Sequence, residues 1–390
     1  MQRETHLAII NAILLRPNRA PSPGSLLVRG GKIDRVLGER RPVLPPRSAV
    51  IDARGRRVTP GLIDLHVHGG GGRHFGAGEG GGLSAILAAH ARFGTTAILP
   101  TLAASSSPDI LEIIRVFKKS VSRPLRGARV LGLNLEGPFL NMGKRGAQPL
   151  RYIRPPRVRE VERILEEADG LVKIMTLAPE LDAGFKVISA LRRAGVIPAI
   201  AHTDADYETT RKAIRAGLSY ATHLFNSYPP LHHRRPGAVG AILDSEEIDL
   251  EIIADGIHVA PVMIRLLFRL ARPDRIMAVT DANDALGGRV RRFLMAGRAV
   301  RVEGGAARLA DDTLVGSIVP LNRAVENLSR FAGIDFARAL AHATLNPARL
   351  LGLSARLGDL EKGMHADLVI WERSGAVWKT LVGGEVIHEK

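Results

Sequence analysis

Six side chains that can hold a divalent cation or move a proton stand at the ends of short apolar runs. His66 and His68 close the run Leu62-Ile63-Asp64-Leu65, and Glu136 follows Val130 to Leu135. His202 follows Ile197 to Ala201, His223 closes Tyr220-Ala221-Thr222, and Asp281 closes Ile276 to Thr280. Imidazole nitrogens and carboxylate oxygens are the donors used where a bound metal activates water. A lone His at a strand end is ordinarily a satisfied, partly buried imidazole. The His-x-His pair says more, because residues i and i+2 of a strand face the same side. Followed by Glu, His, His and Asp on later runs, it points to one or two divalent metals. The chain has no Cys, so the donors are N and O, a set that suits Zn2+ or Fe2+.

Elements must bring these groups together. Apolar runs this short read as buried parallel strands, expected near 62–68, 96–100, 130–135, 172–178, 197–202, 219–223, 250–255 and 276–281. Helical periodicity lies between them, for example from Leu83 to Arg92, Val158 to Ala168, Ala183 to Ala194, Tyr207 to Ala216 and Pro261 to Ala271. Alternation over this length predicts a (β/α)8 TIM barrel. The candidate ligands follow strands spread around the whole set, which favours the barrel over a doubly wound sheet. Residues 286 to 316 interrupt the rhythm and read as a β-hairpin insert, followed by helices from Pro320 to Phe331 and Phe336 to Leu345. Before the barrel come short strands with Pro/Gly turns, ending at a boundary marked by Thr59-Pro60-Gly61, and the tail from Ala366 is strand-like again. A small β-sandwich domain from both chain ends, 1–59 plus 357–390, is therefore expected beside a catalytic barrel at 60–356.

Composition narrows the function. The formal charge is +16, from Arg scattered along helix faces, with neither a basic stripe nor a nucleic-acid motif. Only 4% of residues are aromatic, leaving few platforms for base stacking. The expectation is a solvated basic surface with no nucleic-acid partner and a general attraction for anionic substrates. There is no apolar stretch of about 18 residues, so no membrane span is expected. The polar opening Met1 to His6 lacks the apolar region of a signal peptide, which places the protein in the cytoplasm.

Longer motifs carry a resemblance. Pro60 to Gly69, Leu135-Glu136-Gly137-Pro138-Phe139, Leu177-Ala178-Pro179-Glu180, Ala201-His202-Thr203 and Ala221 to Asn226 come in that order. Ile253 to Val259, Val279-Thr280-Asp281-Ala282, Leu314-Val315-Gly316-Ser317 and Asn346-Pro347-Ala348 complete the set. Over nearly the full chain the sequence resembles the N-acetylglucosamine-6-phosphate deacetylases of the amidohydrolase superfamily. The resemblance implies that Glu136, His202 and His223 hold the main metal. It implies that His66 and His68, with Glu136 as bridge and Asp281, can hold a second. It makes Asp281 the catalytic acid and base, and Gln148, Asn226, Ser227, Arg234, His258 and Val315 the substrate contacts. It implies a homodimer acting on an amino sugar phosphate. The alternatives are the same chemistry on N-acetylgalactosamine 6-phosphate or another N-acyl compound, and a non-catalytic basic binding protein, which should have lost one of these residues.

Two departures stand out. Gln148 occupies a position where many members of that family carry His, and His232 to Gly237 is more basic than the family pattern. Lys173 lies near the start of its strand, the wrong end for a metal-bridging carbamylated Lys, and reads as structural. The Gly-rich segment from Gly69 to Gly82 lacks the Gly-Lys-Ser/Thr ending of a phosphate loop and reads as a mobile loop over the site, with His74 exposed and structural.

Overall fold

The computed structural model describes residues 6–38, 43–44, 48–76 and 81–390; the opening Met1 to Thr5 and positions 77–80 of the Gly-rich segment lie outside the described residues. Eight strands line up in parallel and in chain order: Leu62–Val67, Thr95–Leu102, Leu133–Glu136, Val172–Leu177, Ile197–Ile200, Tyr220–Ala221, Asp249–Ile253 and Ile276–Val279. The last returns to the first through an isolated parallel bridge, Val67 to Ala282. The Asp64 carboxylate reinforces this junction, accepting from the Thr280 hydroxyl at 2.6 Å and its N–H at 3.2 Å. The result is a nearly closed TIM-type barrel.

Helices cover its outside for the reason the periodicity gives. In Val158–Ala168, Val161, Ile164 and Ala168 are buried and form one stripe, and the helix stops where Asp169 turns left-handed at φ 49°. Ser107–Val121 starts with a Ser106 side chain that accepts from the Asp109 N–H. Inside the barrel, Ile63, Leu65, Leu99, Ile174, Tyr220 and Met277 pack as a separate interior core. Full burial of such a side chain is worth about 1.5–3 kcal/mol. That filling leaves only the carboxyl ends of the strands open for chemistry.

Both chain ends build one eight-stranded sheet, in which Arg57–Pro60 pairs antiparallel with Leu368–Trp371. At the stretch read as a boundary, Thr59 and Pro60 end the strand Arg57–Pro60, and Gly61 separates it from the barrel strand that begins at Leu62. Ile9, Leu26, Ile33, Leu368, Ile370 and Leu381 form this sheet's own core. The insert has three strands, not two: Arg292–Met295, Arg298–Glu303 and Ala306–Arg308. Gly304 and Gly305, at φ 57° and 81°, make the second turn that the hairpin expectation lacked. Among the described residues no helix is long and apolar enough to cross a membrane.

Candidate metal centre

The first barrel strand changes parity to present its imidazoles. Ile63 and Leu65 face the interior core, whereas Val67 belongs to the outer one, and pairing with the next strand shifts between Asp64 and Val67. Such an irregularity re-aims side chains, and here His66 and His68 both reach the mouth, with Nε2 atoms 3.1 Å apart. On the third strand Leu133 and Leu135 pack outward, while Asn134 reaches across to the Leu65 carbonyl at 3.1 Å and Glu136 shares its side. His202, His223 and Asp281 each follow a strand end at positive φ, 47°, 32° and 48°. Residues other than glycine rarely adopt this conformation, and such strain gathers at functional sites.

Glu136 joins everything. Its Oε1 lies 3.0 Å from His202 Nε2 and 2.8 Å from His223 Nε2, and its Oε2 lies 3.0 Å from His68 Nε2. Two groups of three follow, Glu136/His202/His223 and His66/His68/Asp281, each with donor atoms within 4.8 Å of one another. Burial would raise the Glu136 pKa, but hydrogen bonds from His202 and His223 and the nearby His66 charge hold it well below the usual range. Burial would likewise lower His66, yet Asp281, Glu251 and Glu136 hold it well above the usual imidazole value.

The far side of the rings tests the fit to a metal: three of the four meet an acceptor there, while His223 Nδ1 is buried without a hydrogen-bond partner among the described residues. His66 Nδ1 meets Glu251 Oε2 at 3.0 Å, His68 Nδ1 meets the Thr101 carbonyl at 3.1 Å, and His202 Nδ1 meets the Lys144 carbonyl at 2.8 Å. Each acceptor holds a proton on Nδ1, so the Nε2 turned to the centre would give up its own proton to a metal and offer its lone pair, the arrangement that orients metal-binding His. Lone pairs of His66 and His68 facing at 3.1 Å repel unless a cation or proton lies between them. The donor set therefore fits one or two divalent metals.

A cavity of about 170 Å3 opens over these groups. Gln148, Asn226, Ser227 and His258 line it beside Glu136, His202, His223 and Asp281, with Met295 contributed by the insert. Gln148 donates to Glu136 Oε2 at 2.6 Å and accepts from the Ala104 N–H at 2.9 Å. His258 Nδ1 meets Asp255 at 2.6 Å. Two expected contacts do not line the cavity. Arg234 is exposed in an adjoining depression with Lys144, Asp204 and Tyr207. The Val315 side chain packs into the insert's own core, while its neighbours Leu314 and Gly316 face the cavity. Among the described residues, no Lys or Arg lines the cavity wall.

Four further features bear on what the sequence predicts. Lys173 bonds the Gly170 carbonyl at 2.8 Å, at the amino end of its strand and away from the site. His74 is not an exposed bystander: its side chain is 22% exposed, it bonds Asp284 at 2.9 Å, and it stacks on His68 with 6.1 Å between ring centres. The start of the Gly-rich segment is a two-strand ribbon, Gly69–Gly70 against Arg73–His74, rather than loop. Sequence reading passed over Glu251, which is fully buried and accepts from both the His66 ring and the His223 N–H. A carboxylate inside the apolar strand Leu250-Glu251-Ile252-Ile253 was the available signal.

Comparison with known proteins agrees with this geometry. The amidohydrolase family profile matches residues 57–387. An N-acetylglucosamine-6-phosphate deacetylase of Bacillus subtilis (strain 168) is 34% identical over 384 residues, covering 97% of this chain and 96% of that protein. An N-acetylgalactosamine-6-phosphate deacetylase of Escherichia coli O157:H7 is 32% identical, covering 87% and 89%. The crystal structure of N-acetylglucosamine-6-phosphate deacetylase from Pasteurella multocida superposes with a TM-score of 0.92 at 30% identity, covering 99% of this chain and 100% of that one.

Proposed function

The chain belongs to the amidohydrolase family, and from that membership we propose that it hydrolyses the acetamide of N-acetylglucosamine 6-phosphate, releasing acetate and glucosamine 6-phosphate. The observation that carries this reading is the convergence of Glu136, His202 and His223 on one point, with Asp281 in the same cavity. Residues 60–356 act as the catalytic barrel and 1–59 plus 357–390 as the accessory domain. A homodimer in the cytoplasm completes the proposal, and sedimentation of the purified protein tests its stoichiometry.

Glu136, His202 and His223 would hold the principal metal, and His66, His68, Glu136 and Asp281 a second, as Zn2+ or Fe2+. When bound, the metal supplies Lewis acidity, which acidifies water and polarises a carbonyl. Asp281 accepts the water proton as the nucleophile attacks the acetamide carbon. It then donates that proton to the amide nitrogen, which leaves poorly unless protonated. Gln148 has one N–H on Glu136 and its oxygen on the Ala104 N–H, so its second N–H is available to the substrate carbonyl. Asn226, Ser227, His258 and the backbone at Val315 would position the sugar phosphate. Arg234, exposed and without a carboxylate partner among the described residues, would bring the phosphate its cation from the adjoining depression.

The relative from Escherichia coli O157:H7 makes N-acetylgalactosamine 6-phosphate the second candidate. Acetate release by metal-loaded protein, measured for both sugar phosphates and for unphosphorylated N-acetylglucosamine, separates the readings. The expected order puts N-acetylglucosamine 6-phosphate first by kcat/KM, with the unphosphorylated sugar poorest. A higher kcat/KM for the galacto isomer would transfer the assignment to it.

A further inference from the structure

Helices in this architecture run back against the strands, so the turn Pro273–Arg275, which leads into Ile276–Val279, lies at the end of the barrel opposite the metal residues. A second cavity of about 600 Å3 opens there, between helix Pro261–Leu270 and helices Phe336–Ala341 and Leu345–Leu350. Its lining includes four arginines, Arg265, Arg269, Arg338 and Arg349, and one carboxylate, Asp274. Two of the guanidiniums are already committed, Arg349 to Asp249 at 2.7 Å and Arg338 to Asp335 at 3.2 Å. Arg265 makes only a 3.4 Å contact with the Phe331 carbonyl, and Arg269 has no partner among the described residues.

The lining also holds two nearly inaccessible polar side chains, His342 and Asn346, 2% and 4% exposed. His342 Nδ1 donates to the Ile276 carbonyl at 2.9 Å, and Asn346 Nδ2 donates to the Pro273 and Ile276 carbonyls at 2.9 Å. These bonds explain the donors as clasps on the start of the last strand. They leave His342 Nε2 and Asn346 Oδ1, two acceptors without a protein partner among the described residues. Burial pulls the His342 pKa down to about 4 despite its bond to Ile276, so Nε2 stays an acceptor at neutral pH. Phe268, edge-on to His342 with ring centres 5.0 Å apart, adds an apolar wall. Both residues line the cavity and neither acceptor is cut off from water, so the two atoms are open to a ligand that brings donors.

We propose that this cavity is a binding site for a sugar phosphate, with the anion at Arg265 and Arg269 and sugar hydroxyls donating to His342 and Asn346. A surface that is merely basic explains the arginines but not the paired acceptors beneath them. The site is remote from the metal residues, so it stands or falls independently of the deacetylase reading.

The test is calorimetric titration of metal-loaded protein with glucose 6-phosphate, inorganic phosphate and glucose, for wild type and for the exposed-rim double variant Arg265→Glu/Arg269→Glu. Acetate release by the same samples serves as the control for folding and for the metal site. The expected result is saturable binding of glucose 6-phosphate that weakens at least roughly tenfold in the variant, a loss of about 1.4 kcal/mol, while kcat and KM for acetate release stay unchanged. Inorganic phosphate should bind more weakly than the sugar phosphate, and glucose least. Binding that is equal in wild type and variant would place the ligand at the metal cavity and overturn the proposal. No binding at about 10 mM ligand, weaker than any useful site, would also overturn it. Equal affinity for inorganic phosphate and glucose 6-phosphate would remove the role given to His342 and Asn346.

Discussion

Asp281 occupies φ 48°, a region that Asn tolerates better than most residues. Asp281→Asn therefore removes the proton carrier without forcing the backbone to move. Acetate release should fall by roughly 10²–10⁴ in kcat, while metal content, measured by plasma emission, stays at the level set by Glu136, His202 and His223. A variant within a few-fold of wild type would show that another group carries the proton. Glu251 makes a different expectation at this scale. Its Oε2 accepts from His66 and from the His223 backbone, and its Oε1 is buried without a partner, which leaves room for an amide nitrogen. Glu251→Gln keeps both bonds and deletes the charge behind His66. Partners of this kind are worth about 10–100-fold in metal affinity, so the second metal equivalent should bind at least about tenfold more weakly and the first nearly unchanged. Titration of chelator-stripped protein with Zn2+ reads both; an unaltered second equivalent would leave Glu251 a purely structural role.

Between elements, the junction of first and last strands depends on Asp64, whose pKa burial pushes up to about 7 against the hydrogen bonds from Thr280 and His66. The unfolded carboxyl loses its proton near 4, whereas the folded one keeps it to about 7. The folded state thus binds more protons across that window, and stability from this group falls as pH rises through it, by on the order of 4 kcal/mol. Asp64→Asn accepts from the Thr280 N–H and donates to its hydroxyl without titrating. Urea unfolding of chelator-stripped proteins should show the variant gaining on wild type between pH 5 and pH 8. A pH-independent difference would contradict the shift. Sequence made the strands legible because each is a short apolar run, and made the ligands legible because few residue types bind metal at strand ends. It did not reveal Glu251 or Asp64, whose roles depend on neighbours 185 and 216 residues away that closure of the barrel brings into contact. The family resemblance supplied Arg234 as a substrate contact but could not show that its side chain lies outside the cavity. The third strand of the insert was hidden because Ala306–Arg308 is only three residues long and follows directly on the Gly304-Gly305 turn.

Across the whole molecule, the +16 charge is not concentrated where the chemistry is. Some arginines secure the accessory sheet, as where Arg16 grips Asp359 at 2.8 Å across 343 residues, and others rim the cavity at the far end of the barrel. The metal cavity is instead a convergence of His, Glu and Asp, with no Lys or Arg in its wall among the described residues. This arrangement fits a site whose working cation is a bound metal and whose phosphate cation reaches in from outside. The most direct measurement is acetate release from N-acetylglucosamine 6-phosphate while chelator-stripped protein is titrated with Zn2+ or Fe2+, with Glu136→Gln in parallel. Activity should be absent without metal, rise with the first equivalent, and stay absent in the variant at every metal level. Full turnover by stripped protein, or none by fully loaded wild type, would contradict the account.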